Sequence, residues 1–412
     1  MTPDILRLIL FLSILAILQS GIDYYIFRKY KHYLDTLSIQ QSLWKQGYIF
    51  ISVIMFILLI GTTVERLLTG SNFQSGHVPQ MLIAIWYLPK YPLAVFFLIK
   101  DSLSIGIALL KKFQKNNQVL VDSSNISIQR RKVLHTLGAS LSIIPFIATA
   151  QGVFHTIYDI EIKNVDIVLP GLNRNHDGIR IVQISDIHTG SYFGTQYLEH
   201  AITTINNLKP DIIAVTGDYV NFDPDELIPF LPILRRLTAS IGVFGSLGNH
   251  DHYMTEMKHI QLCDMIRSTG IDLLINQAKI VTINNADLVI AGTDNTGFNQ
   301  QFGDLSRTFE GVPKDLTSIL MAHDPTYWKM KILDSGLADI TLSGHTHGGQ
   351  IGIELLGDAY SPAQFVYEHW SGLYQQQDKY VYVNRGLGTV GPPIRIGIQP
   401  EITVITLRSP IG

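Results

Sequence analysis

Hydrophobic positions change their rhythm once along the chain, near residue 179. Before that point they come in long runs: LILFLSILAILQSGI from Leu8, YIFISVIMFILLIGTTV from Tyr48, MLIAIWYLPKYPLAVFFLI from Met81 and VLHTLGASLSIIPFIATA from Val133. Each approaches the roughly 20 residues that a helix needs to cross a bilayer. Three of the four are almost free of charge, a pattern foreign to buried helices of a water-soluble domain. Four membrane spans are therefore expected. The third is interrupted by Pro89, Lys90 and Pro92, so a kink or a re-entrant path is expected there.

After residue 179 the apolar runs are short and rich in Ile and Val. IRIVQIS, DIIAVTG, IGVFGSLG, DLVIAG, SILMAH, DITLSG and YVYVN are too continuous for strands with one wet face, and they read as strands buried on both. Covering helices are expected at Thr195 to Leu208, Asp225 to Leu237, Met257 to Ser268 and Thr326 to Ser335, the first ended by Pro210 and the last by Gly336. The fold expected is an N-terminal all-α transmembrane region over residues 1–152, a connecting segment over 153–178, and an α/β domain with central sheets over 179–412.

Charge adds orientation. RKYKH after the first span and the stretch from KKFQK to QRRK before the fourth are basic, while the connection around Glu65 to Pro79 is nearly neutral. Both basic loops belong on the cytoplasmic side, and four spans then place everything after about residue 152 outside the cytoplasm, at the cell membrane. Arg130 and Arg131, with ATA at 148–150, also resemble a twin-arginine export signal, although arginines before a span are what the charge rule alone produces. Either reading exports the globular part. A net charge of −3 gives no reason to expect nucleic acid as a partner. The single cysteine, Cys263, excludes an intrachain disulfide and a thiolate-rich zinc site.

The candidate chemistry sits just after the strands. QISDIH delivers Asp186 and His188, VTGD Asp218, SLGNHD Asn249, His250 and Asp251, LMAHD His323, and LSGHTH His345 and His347. Taken singly each is ordinary turn chemistry. Together they line the C-terminal ends of five strands, where open α/β sheets form their ligand crevice, and they offer oxygen and imidazole ligands suited to Mn, Fe or Zn.

In this order the residues resemble the calcineurin-like metallophosphoesterases: D-x-H at 186, G-D at 217, G-N-H-D at 248, a lone histidine at 323 and G-H-x-H at 344, none missing. The resemblance covers about residues 180–405, and HGGQ at 347 and NRGLG at 384 look like the branch with N-terminal membrane segments. It implies a two-sheet β-sandwich flanked by helices, with two divalent metal ions at the strand ends. Asp186, His188, Asp218 and His347 would hold the first, and Asp218, Asn249, His323 and His345 the second, with Asp218 bridging through its two oxygens. His250 would give the leaving oxygen its proton, with Asp251 keeping the imidazole oriented and charged; the alternative is that His250 only supports the metal site. Arg385 or neighbouring amides would face the phosphate, though a plain turn explains Gly386 and Gly388 equally well.

The activity implied is hydrolysis of a phosphodiester or pyrophosphate by metal-activated hydroxide. The partners expected are a phosphorylated small-molecule or lipid substrate and membrane lipids, with no obligate protein partner. An enzyme resembling UDP-2,3-diacylglucosamine pyrophosphatases of lipid A synthesis needs a cytoplasm-facing site, opposite to the orientation expected. A phosphomonoesterase or protein phosphatase uses the same metals. A non-catalytic membrane scaffold is opposed by the complete ligand set.

Overall fold

A computed structural model of the chain describes residues 3–36, 41–69, 77–113, 142–297, 299–355 and 358–410. It divides into two compact units, Met1–Gln151 and Gly152–Gly412.

The first unit is helical: α1 (Pro3–Thr36), α2 (Gln41–Thr69), α3 (His77–Tyr87) and α4 (Lys90–Phe113). Among the described residues, three segments are long and apolar enough to cross a membrane: Ile9–Lys31, Ser42–Glu65 and His77–Leu110. The third runs through a turn at Leu88 and Pro89, where the missing amide of proline breaks the helical ladder. Lys90, which interrupts the apolar run, is buried against Asp23 of α1 at 2.5 Å, with its ammonium 3.8 Å from the Trp86 ring centroid. A charge in such a helix needs a partner of this kind. Of the fourth expected span, residues 133–141 and the Arg130–Arg131 pair lie outside the described residues, and its C-terminal part belongs to helix α5 (Ile144–Phe154).

The second unit is a two-sheet sandwich. One sheet orders its strands β1 (Glu161–Val168), β14 (Glu401–Arg408), β2 (Arg180–Ile184), β3 (Ile212–Thr216), β4 (Gly242–Ser246) and β5 (Asp272–Leu273). The other runs β12 (Gly372–Gln376), β13 (Lys379–Val383), β9 (Ile340–Ser343), β8 (Ser318–Met321), β7 (Ala286–Gly292) and β6 (Gln277–Ile283). β2, β3 and β4 are parallel in the first, and β13, β9 and β8 in the second. A two-stranded ribbon, β10 (Ile353–Leu355) with β11 (Asp358–Tyr360), stands apart.

The continuous apolar runs are explained by this layering. Side chains alternate across a strand, so Ile181, Ile212, Ala214 and Phe244 face Ile290, Ile319, Met321 and Leu342 between the sheets. The intervening residues Val182, Ile184, Ile213 and Val215 turn outward against α6 (Gln196–Asn207) and a later helix, α7 (Glu256–Ser268). On the far side Val289, Ala291, Leu320 and Val381 cover Trp328 and Ile332.

Two expectations change. Residues 153–178 are more than a connection, because Glu161–Val168 forms β1 and pairs in parallel with β14. The helix expected from Asp225 to Leu237 is a 3-10 stretch, Pro224–Phe230, and one short helical turn, Leu231–Leu234, because Pro229 and Pro232 withhold the amides a continuous helix would use.

Candidate metal centre

The parallel strands β2, β3, β4 of one sheet and β8, β9 of the other deliver Asp186, His188, Asp218, Asn249, His323, His345 and His347 from their C-terminal ends. The two sheet edges are sewn together by polar contacts across the sandwich. The His345 amide donates to both carboxylate oxygens of Asp186, at 3.1 and 2.9 Å, and Nδ1 of His323 donates to the Thr216 carbonyl at 2.8 Å. Gln183 reaches the Ser343 carbonyl at 2.8 Å.

Five of these side chains leave the strand by a left-handed residue. Asp186, His188, Asp218, His345 and His347 have φ of 48°, 44°, 56°, 72° and 51°. Non-glycine residues avoid this region because Cβ crowds the backbone, and they persist there only where the surroundings impose it. The chain after β2 keeps its bonding to the chain after β3 through this region: the Asp186 and His188 amides donate to the carbonyls of Gly217 and Asp218, each at 3.0 Å. At Gly344 a Cβ would run into Ser185 Oγ and the Asp186 carboxylate.

The functional atoms converge. His347 Nε2 lies 3.3 Å from Asp186 Oδ1, and His188 Nε2 lies 3.9 Å from Asp186 Oδ1 and 3.5 Å from Asp218 Oδ2. His323 Nε2 is 3.1 Å from Asp218 Oδ2. Two groups with metal-ligand spacing result, Asp186 with His188 and His347, and Asp218 with His323 and His345. A third, His188 with Asp218 and His250, joins them.

Asp218 Oδ1 accepts the His250 amide at 2.8 Å, and Oδ2 faces both His188 and His323.

Whether these residues suit a cation is decided by their unpaired atoms. The Nε2 atoms of His188, His323 and His347 and the Oδ1 of Asn249 are buried with no hydrogen-bond partner, although carboxylate oxygens stand close by. Burying lone pairs against lone pairs is costly unless something positive lies between them. Second contacts aim these atoms. Nδ1 of His323 is occupied by a carbonyl, which leaves Nε2 for the centre, and the Asn249 amide nitrogen donates to the Tyr253 hydroxyl at 2.8 Å, which leaves its oxygen. The donor set therefore fits divalent metal. Burial opposes charging of His323, yet Asp218 and Asp186 pull its pKa up to about 10.

His250 lies against this centre, its ring 4.7 Å from that of His188, centroid to centroid. Its Nδ1 contacts the Asn221 carbonyl at 2.7 Å. A carbonyl only accepts, so Nδ1 carries the proton and Nε2 is the nitrogen left to exchange one. Burial pushes this imidazole down to about 4.

Asp251 does not hold the His250 ring, which corrects its expected role. Its carboxylate accepts the backbone amides of Asp218, Tyr219 and Gly248, each at 2.9 Å, and so ties the loop after β3 to the loop after β4. Burial and the charge of Asp218 raise it to about 7 against the pull of those amides.

Arg385 is likewise not presented to the crevice. It is 2 % exposed, with Nε on Glu401 and Nη2 on Glu161, both at 2.5 Å. Its neighbour Arg395, which the motifs do not touch, is fully buried and donates to the carbonyls of Arg385, Gly386 and Gly388. Sequence reasoning also misses Asn221, Tyr253 and Tyr367, whose hydroxyl lies 3.2 Å from His345 Nε2. Asn221 acts through its backbone and the two tyrosines reach the centre from outside the motifs, so no local signal marks them.

A family model described as Calcineurin-like phosphoesterase matches residues 179–349, and one described as Probable Calcineurin-like phosphoesterase, transmembrane domain, matches residues 6–156. With the acid and imidazole groups above, they define a membrane protein that is a metal-dependent hydrolase of phosphoric esters. The uncharacterized metallophosphoesterase YkuE of Bacillus subtilis (strain 168) is 35 % identical over 239 residues, 57 % of this chain and 80 % of its own. The uncharacterized metallophosphoesterase Cj0846 of Campylobacter jejuni is 28 % identical over 373 residues, 89 % of this chain and 91 % of its own. Phosphodiesterase YaeI of Escherichia coli (strain K12) is 27 % identical over 229 residues, 55 % of this chain and 82 % of its own. The chain belongs to the calcineurin-like phosphoesterase family.

Proposed function

We propose that this protein is a multi-pass membrane enzyme that hydrolyses a phosphodiester or pyrophosphate bond at a centre of two divalent metals, with its catalytic unit on the extracytoplasmic side and a substrate carried by lipid. The observation that carries the reading is the shared oxygen of Asp218, which stands 3.5 Å from His188 Nε2 and 3.1 Å from His323 Nε2, one imidazole from each ligand group. Asp186, His188, Asp218 and His347 would hold one metal, and Asp218, Asn249, His323 and His345 the other. Bound there, divalent metals supply Lewis acidity to the phosphoryl oxygens and bring the pKa of water down to about 7.

The chain's own residues do the rest. Asp186 and Asp218 leave the strands in strained, backbone-anchored loops, so the ligand frame is set before substrate arrives. His250 delivers the leaving-group proton through Nε2, since Nδ1 is committed to Asn221. An anionic ester beside this imidazole favours its protonated form, which the buried pocket alone does not. Preference for a diester over a monoester is supported by the name of YaeI. The extracytoplasmic side is supported by the basic connections of the first 150 residues.

The test uses the full-length protein in detergent with added Mn²⁺. Wild type should hydrolyse a soluble aryl phosphodiester, and Asp218→Asn should lose at least about a hundredfold of that rate, the scale on which preorganised electrostatic groups act. An inert wild type, or an Asp218→Asn variant as fast as wild type, rejects the reading. Faster turnover of the matching monoester rejects the diester preference alone. A C-terminal reporter active only in the cytoplasm would overturn the assigned side.

A further inference from the structure

Several of the large apolar side chains exposed on the catalytic unit lie close together in sequence after the last motif. Ile351, Ile353, Tyr360, Phe365 and Val366 fall within sixteen residues, with Phe365 85 % and Val366 74 % exposed. The ribbon β10–β11 explains why several point the same way. Ile353 pairs with Tyr360 across the ribbon, so both side chains stand on one face. Glu354, on the opposite face, reaches back to Lys163 of β1 at 3.9 Å, which makes the apolar face the outward one. An apolar cluster of this size costs solubility unless something covers it.

Both ends of the segment are anchored at the metal centre. It begins directly after His347, where Gly349 packs on Ser361 and Ala363, and it ends at Tyr367, whose hydroxyl touches His345. The hydroxyl of Thr346 donates to the Trp370 carbonyl at 2.6 Å and closes the loop. The ionisable residues within residues 351–370 are Glu354, Asp358, Tyr360, Tyr367, Glu368 and His369, so the segment carries no lysine or arginine to seek an anionic surface. Tyr360, exposed on this face, is an aromatic residue with a polar tip, the kind that settles at a membrane interface.

The occupant is indicated by the tether. The matched transmembrane model covers residues 6–156, and β1 of the catalytic unit begins at Glu161. The chain that carries the catalytic unit thus also carries segments apolar enough to cross a membrane, which keeps a lipid surface at high local concentration.

We infer that Ile351, Ile353, Tyr360, Phe365 and Val366 form an apolar rim that dips into the lipid interface and seats the metal centre at the headgroup layer, so that the phosphate attacked belongs to a lipid in the bilayer. The second half rests on the phosphoesterase reading; the first does not. Insertion is driven by apolar area, so it needs no anionic lipid and resists salt.

The experiment uses the full chain in phosphatidylcholine proteoliposomes, with the buried Cys263 replaced (Cys263→Ala) and a single environment-sensitive fluorophore on Phe365→Cys or, for comparison, on Met257→Cys, an 81 % exposed position on α7. The label at 365 should emit to the blue and be quenched by doxyl-labelled lipid in low and high salt, while the label at 257 should be quenched by aqueous iodide. A water-exposed label at 365 overturns the inference, and so does one shielded from iodide but untouched by doxyl lipid, which would mean a second copy or a folded-down rim covers it. The pair Phe365→Asp and Val366→Asp together should slow hydrolysis of a vesicle-borne phosphodiester at least fivefold and leave a soluble diester within twofold. Equal effects on both substrates overturn it. Fluorescence reads insertion without catalysis, so an inert enzyme would sink the proposed activity and leave the rim standing.

Discussion

At the scale of single residues, the centre is built from conformations the chain would not choose. Left-handed φ at Asp186, His188, Asp218, His345 and His347 costs of order 1–3 kcal/mol for each residue so held, and the loops that impose it are tied down by named contacts. Asp251 is the chief of these, since three backbone amides from two loops end on its carboxylate. Asp251→Asn puts an NH₂ group against those amides and should lower unfolding stability by about 2–4 kcal/mol, read by denaturant titration of the solubilised protein, with metal content falling in step. His250→Gln should instead reduce kcat by about 10²–10⁴-fold with metal content and stability unchanged. If metal were lost to the same degree, His250 would be a support of the metal site and no proton donor.

Elements show where a one-dimensional pattern stops being informative. β2, β3, β8 and β9 are legible because both of their faces are buried and their residues are mostly Ile, Val and Leu. β1 is not, because it lies at a sheet edge: EIKNVDIV alternates polar with apolar residues and reads equally as a solvated connection. Its contribution is structural and electrostatic. Glu161 of β1 and Glu401 of β14 clamp the Arg385 guanidinium between them. Arg385→Gln should therefore destabilise the protein by about 3–5 kcal/mol, the cost of leaving the buried Glu401 without its partner. A variant of wild-type stability with a raised KM would return Arg385 to the role of phosphate contact.

For the whole molecule, the two sheets bring their ligands together at one edge of the sandwich, so metal binding and folding are coupled. Ligand that binds only the folded state at a hundred times its Kd adds about 2.7 kcal/mol of stability. Chelation should accordingly lower the Tm of the purified protein together with its activity, and Mn²⁺ should restore both; an unchanged Tm would mean the ligands are held without help from metal. The sequence alone determined the apolar helices, the class of the globular unit and which acids and histidines gather, because those come from local periodicity and from the residue types that strand ends carry. Only the tertiary structure decided that Asp251 binds backbone amides, that Arg385 is buried between two glutamates and that one oxygen of Asp218 faces both histidine groups. Each of these depends on which distant segments pack against one another, and no spacing along the chain encodes that.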